Sequence, residues 1–203
     1  MSSENTSTKR VVSFEIGNPM PTLVFTFTLI VVMIWGATTG IAGPDALLFL
    51  GLFQFGCVPV YLASSMALIK AGESLLGNIF LMFTTAFGMI SGLGNFAAGL
   101  APHFGVTLDN TLYNFPLLWS GILLVAVLIA CRKADICTLI AFAGGAWTLT
   151  TGALMGLGVI PPVLGPINGW VSLAVAVFGG WTVFADICAM GGVNVPKGPS
   201  IIK

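Results

Sequence analysis

Few side chains in this sequence could carry chemistry, and those that could are not grouped. There is one histidine, His103, and four cysteines, Cys57, Cys131, Cys137 and Cys188, with no Cys-x-x-Cys pair among them. A metal site needs three or four His, Cys or carboxylate ligands brought together. One histidine and scattered carboxylates offer no such set, so neither a metal nor any other cofactor is expected. The chain also lacks a glycine-rich phosphate loop, a nucleophile elbow and a close acid pair, and it does not read as an enzyme. The cysteines lie in or at the ends of apolar runs, where a thiol behaves as a small apolar side chain. His103 falls in a connection and reads as a solvated imidazole. Asp186 stands apart, because it lies inside an apolar run. A carboxylate at membrane depth is costly and marks a charge or proton site, or a buried partner. About a turn from the end of its run, it could instead reach water or cap a neighbouring helix.

The elements that must position these groups are built for lipid. Hydrophobic residues make up 57% of the chain and charged ones 7%, where soluble proteins carry about 25% charged residues. The clearest element is the stretch 17–41, GNPMPTLVFTFTLIVVMIWGATTGI. Its apolar run is about the 20 residues that an α-helix needs to cross the ~30 Å hydrocarbon core. Pro21 suits a first helical turn, and Pro19 holds Asn18 extended as a capping residue. Thr22, Thr26, Thr28, Thr38 and Thr39 can return their hydroxyls to helix carbonyls, which makes them tolerable in a span.

Five further spans follow, at about 46–69, 75–100, 113–131, 136–160 and 167–190. The organisation expected is all-α, with a leader over 1–17, a six-helix transmembrane domain over 18–191 and a tail over 192–203. Pro59 should kink the second span, because it removes a backbone bond and crowds the preceding turn. Gly88 and Gly92 in the third span, and Gly152 and Gly156 in the fifth, have the spacing that lets helices approach closely in lipid. Six spans place all seven Lys and Arg residues on one face: Lys9, Arg10, Lys70, Arg132, Lys133, Lys197 and Lys203. Cationic residues are retained in the cytoplasm, so both termini are expected there, in a plasma (cell inner) membrane. Zero net charge without a basic cluster points away from nucleic acid.

Several of these features together resemble the acetate uptake, or succinate/acetate permease, family. They are the entrance Asn18, Pro19, Met20, Pro21; the glycine-rich third span after the turn at Lys70 to Gly72; the fifth span after Arg132 and Lys133; and a last span starting Gly169, Trp170 with Asp186 sixteen residues past the tryptophan. The family's N-P-A-P-L-G entrance reads Asn18, Pro19, Met20, Pro21, Thr22, Leu23 here, differing at three of six positions. The resemblance implies a homohexamer whose protomers each carry a path for acetate and similar small monocarboxylates. It implies a hydrophobic pore constriction at Phe27 and Phe83, the second usually tyrosine, with the third position falling on Gly144 or Gly145. The family's second-span glutamine is missing near Pro59. Along such a path, Asn18, Thr22, Thr26 and Thr84 are the expected substrate-binding groups, and an acid that crosses protonated avoids the cost of desolvating a charge. Two other readings compete. One is a channel for small neutral solutes such as urea or short amides, favoured by the lack of a deeply placed cation; the other is a nontransporting membrane sensor or scaffold.

Overall fold

The computed structural model describes residues 17–109 and 111–200. Among them are six helical spans long and apolar enough to cross a membrane. The first is α1 (Met20–Thr38). The second is broken at Cys57 into α2 (Ala46–Gly56) and α3 (Val58–Lys70), which is the interruption expected from Pro59. The third runs as α4 (Ser74–Phe83), a π-helical stretch (Thr84–Ile90) and α5 (Ser91–Leu100). Then come α6 (Thr111–Ala130), α7 (Ile136–Gly156) and α8 (Gly165–Met190). The last helix starts two residues earlier than the sequence suggests, because the chain turns at Pro161 and Pro162 and Pro166 fits its first turn. Lys9, Arg10 and Lys203 lie outside the described residues.

The helices pack as three couples, α1 on α8, α6 on α7 and α2 on α5, with α7 also against α8 and α3 against α4. Small residues set the closest crossings. A Cβ on Gly92 would lie 2.9 Å from the Phe55 backbone nitrogen, and one on Gly88 2.7 Å from Val58 Cγ2. Gly88 and Gly92 therefore join the two halves of the second span to the third. In α7, Gly152 and Gly156 leave room for polar neighbours, Asn168 of α8 and Asn114 of α6. Asn168 uses that room: its Nδ2 donates to the Thr148 carbonyl at 3.1 Å, and Thr151 donates to its Oδ1 at 2.6 Å.

Both ends of the described chain emerge at one face, called here the terminal face, which also carries Lys70, Arg132, Lys133 and Lys197. The opposite face carries His103, whose Nε2 lies 3.0 Å from Asp45 Oδ1 and so ties the α1–α2 turn to the segment before α6. At the terminal face the tail folds back onto the bundle. Trp181 Nε1 donates to the Pro196 carbonyl at 3.0 Å and Ile136 N to the Pro199 carbonyl at 3.2 Å.

Candidate functional site

Five phenylalanines from three spans meet in the middle of the bundle. Phe27 of α1 lies 5.2 Å from Phe83 and 5.3 Å from Phe87, centroid to centroid. Phe83 contacts Phe87 at 5.1 Å, Phe80 at 5.5 Å and Phe142 of α7 at 6.4 Å. All five are buried, and most of the pairs are edge-to-face, the arrangement the ring quadrupoles favour. Phe83 and Phe87 flank the start of the π-helical stretch, a local widening that recurs at functional positions. The second span breaks at the same depth, since Val58 is the neighbour of Gly88 within that stretch.

The two constriction positions expected from the sequence are thus brought together. Of the two glycines, Gly145 is the one beside this cluster: a Cβ on it would lie 3.7 Å from Phe27 Cζ, whereas one on Gly144 would meet Val175 of α8. Gly145 therefore faces the aromatic cluster, and Phe142, one turn earlier on α7, supplies the bulk that Gly145 lacks. The sequence reading missed Phe80, Phe87 and Phe142. The 80, 83, 87 spacing was the available signal for the first two, one helix face with aromatic residues at each turn.

On the terminal-face side of the cluster is a cavity of about 210 Å³. Met20, Val24, Phe27, Leu76, Phe80, Phe83, Ala141, Phe142 and Gly179 form most of its wall, and Cys131, Ala134, Thr138 and Thr182 complete it. Thr138 and Thr182 are its hydroxyl groups, and both hydroxyl protons are already engaged. Thr138 Oγ1 donates to Asp135 Oδ2 at 3.0 Å, and Thr182 Oγ1 to the Phe178 carbonyl at 3.1 Å. Asp135 also caps α7, accepting from Thr138 N at 2.9 Å.

The polar residues expected along a path are dispersed. Asn18 is not the cap of α1, because Pro19 takes that position with helical backbone angles. Asn18 instead accepts the Met20 N–H at 3.0 Å and borders a separate opening beside Leu68, Ala71 and Glu73. Thr22 is exposed in an outer groove between α1 and α8, beside Phe25, Val183 and Phe184. Thr26 and Thr84 are buried and donate to their own helices, Thr26 to the Thr22 carbonyl at 2.8 Å and Thr84 to the Phe80 carbonyl at 3.0 Å. Asp186 is held by the tail, with Lys197 Nζ 2.7 Å from its Oδ1. The same ammonium lies 4.0 Å from Asp135 Oδ2.

No protein-family model matches the sequence, and no curated protein does. A solved structure does match: the bacterial acetate channel SatP superposes with a TM-score of 0.71 over 90% of this chain and 98% of that one, at 16% sequence identity. This chain, with six spans long and apolar enough to cross a membrane, therefore shares the fold of that structure.

Proposed function

We propose that this protein is a channel or transporter for acetate and similar small monocarboxylates, with Phe27 and Phe83 forming the constriction of a path through each protomer. The observation that carries this reading is the buried phenylalanine neck with a cavity beside it, set inside a fold shared with an acetate channel. The neck offers no donor to a carboxylate, and the nearby hydroxyls of Thr26 and Thr84 give their protons to helix carbonyls. Anions are costly to strip of water. The acid therefore crosses the neck in its neutral form, which couples solute flow to protons. The face with Lys70, Arg132, Lys133 and Lys197 is cytoplasmic by the distribution of positive charge, in the plasma membrane. The protomers assemble as homohexamers, as the family resemblance implies.

The test is influx of labelled acetate into proteoliposomes, with labelled urea in parallel and a pH gradient imposed or absent. Acetate influx above that of protein-free vesicles, rising when the outside is acid, is expected. Urea influx without acetate influx would replace this reading with a neutral-solute channel, which the lack of any lysine or arginine in the interior of the described spans, Lys70 being the last residue of its own, otherwise favours.

A further inference from the structure

The cavity beside the neck is larger and drier than acetate needs. An apolar cavity of about 150 Å³ stays empty of water and accepts a solute the size of benzene; this one is about 210 Å³, with four phenylalanines, Phe27, Phe80, Phe83 and Phe142, at its closed end. Its polar groups are equally particular. Because Thr138 and Thr182 have given up their hydroxyl protons, to Asp135 and to the Phe178 carbonyl, their oxygens can only accept. A carboxylate, itself only an acceptor, finds no hydroxyl donor there and only the weak S–H of Cys131, whereas an undissociated acid brings one O–H. The charged groups at this end of the bundle include Asp135 and Asp186 around the Lys197 ammonium, and Arg132 and Lys133 between the lining residues Cys131 and Ala134.

We propose that this cavity is a binding site for undissociated aliphatic monocarboxylic acids of about four to six carbons, longer than acetate. The carboxyl donates to Thr138 or Thr182, and the alkyl tail lies against Phe80, Phe83 and Phe142. The proposal rests on the monocarboxylate reading above and narrows its substrate class.

The experiment is competition of labelled acetate influx by unlabelled acetic, butyric, pentanoic and hexanoic acids in proteoliposomes, with internal and external pH clamped equal. Potency should rise roughly threefold to fourfold per added methylene, and fall again once the tail outgrows the cavity. Across pH it should follow the undissociated fraction, falling about tenfold per unit above the acid's own pKa. Filling the cavity with Ala141→Phe, or at its rim with Ala134→Phe, should flatten the chain-length series. Saturation-transfer NMR of pentanoic acid on protein in lipid nanodiscs gives a readout independent of transport, with Ala141→Phe as the control that removes signal from acid dissolved in lipid. Acetate influx with a flat series and no Ala141-dependent NMR signal would overturn the long-chain site and leave the acetate reading standing. A cavity-dependent NMR signal without acetate influx would uphold the site and overturn the transport reading.

Discussion

In the path proposed above the phenylalanine cluster is the neck, and each of its rings has its own expected effect on flux. Phe27 touches both Phe83 and Phe87 and faces the one neck position without a side chain, Gly145. Phe27→Ala should widen the passage and let urea through with acetate, seen as urea influx at least several-fold above the parent protein in the same vesicles. Unchanged selectivity would remove Phe27 from the path. Gly145→Leu should act in the opposite direction, since its side chain must occupy space that begins 3.7 Å from the Phe27 ring and 3.5 Å from Leu124 Cδ1. Acetate influx should fall severalfold without loss of folded protein in size-exclusion chromatography. Residue-scale legibility was uneven in a physically intelligible way. Phe27 and Phe83 were singled out by the family resemblance, and each lies in the helix that follows its marker, α1 after Asn18 and α4 after the turn at Gly72. The choice between Gly144 and Gly145 could not be made, because adjacent residues differ by about 100° around a helix and only the rotation of α7 decides which one faces inward. Thr22 reads as a path residue from its position near the start of α1, yet the pairing of α1 with α8 turns it to the outer groove.

At the scale of elements, the couple of α2 and α5 is fixed by backbone contact. A Cβ on Gly51 would lie 2.6 Å from Phe96 Cα and 2.7 Å from the Gly92 carbonyl oxygen, so any side chain there must push two helices apart. Gly51→Ala should lower stability by about 1–3 kcal/mol, the usual cost of overpacking. Gly56→Ala, five residues on in the same helix with no neighbour within 4 Å, should be neutral or slightly stabilising. Temperature of half-loss of the monodisperse peak after heating would compare them, and equal loss in both would show that the α2–α5 contact is not what sets stability. The break at Cys57 was legible because Pro59 announces it chemically. The π-helical stretch was not, because no proline lies in Thr84–Ile90 and the widening answers to packing against α2, α3 and α6. The six spans themselves were legible from length and hydropathy alone, since lipid leaves the backbone no choice but to bond within each helix.

At the scale of the whole molecule, the carboxylate at the end of α8 has two possible roles that experiment separates, moving protons or holding the chain together. Asp186 and Lys197 lie 2.7 Å apart with side chains 23% and 32% exposed, and the same tail segment bonds to Trp181 and Ile136. An ion pair at that exposure contributes modestly, about 1 kcal/mol or less, but it fixes a tail segment that links the start of α7 to the end of α8. The sequence placed Asp186 in a span and Lys197 in a tail, eleven residues apart, with nothing local to bring them together; the turn at Gly192, with φ of +80°, does so. If the pair is a strap, Asp186→Asn should free the tail. Trypsin would then cut after Lys197 severalfold faster, while acetate influx keeps its dependence on pH. The double exchange Asp186→Lys with Lys197→Asp, which keeps the charge balance, should restore slow exchange of the Ile136 amide, which donates to the Pro199 carbonyl, in hydrogen-exchange mass spectrometry, where either single change leaves it fast. A proton site behaves differently, since Asp186→Asn would abolish the pH dependence of influx and reversing the pair would not bring it back. The short Lys197 contact and the tail's backbone bonds to α7 favour the strap.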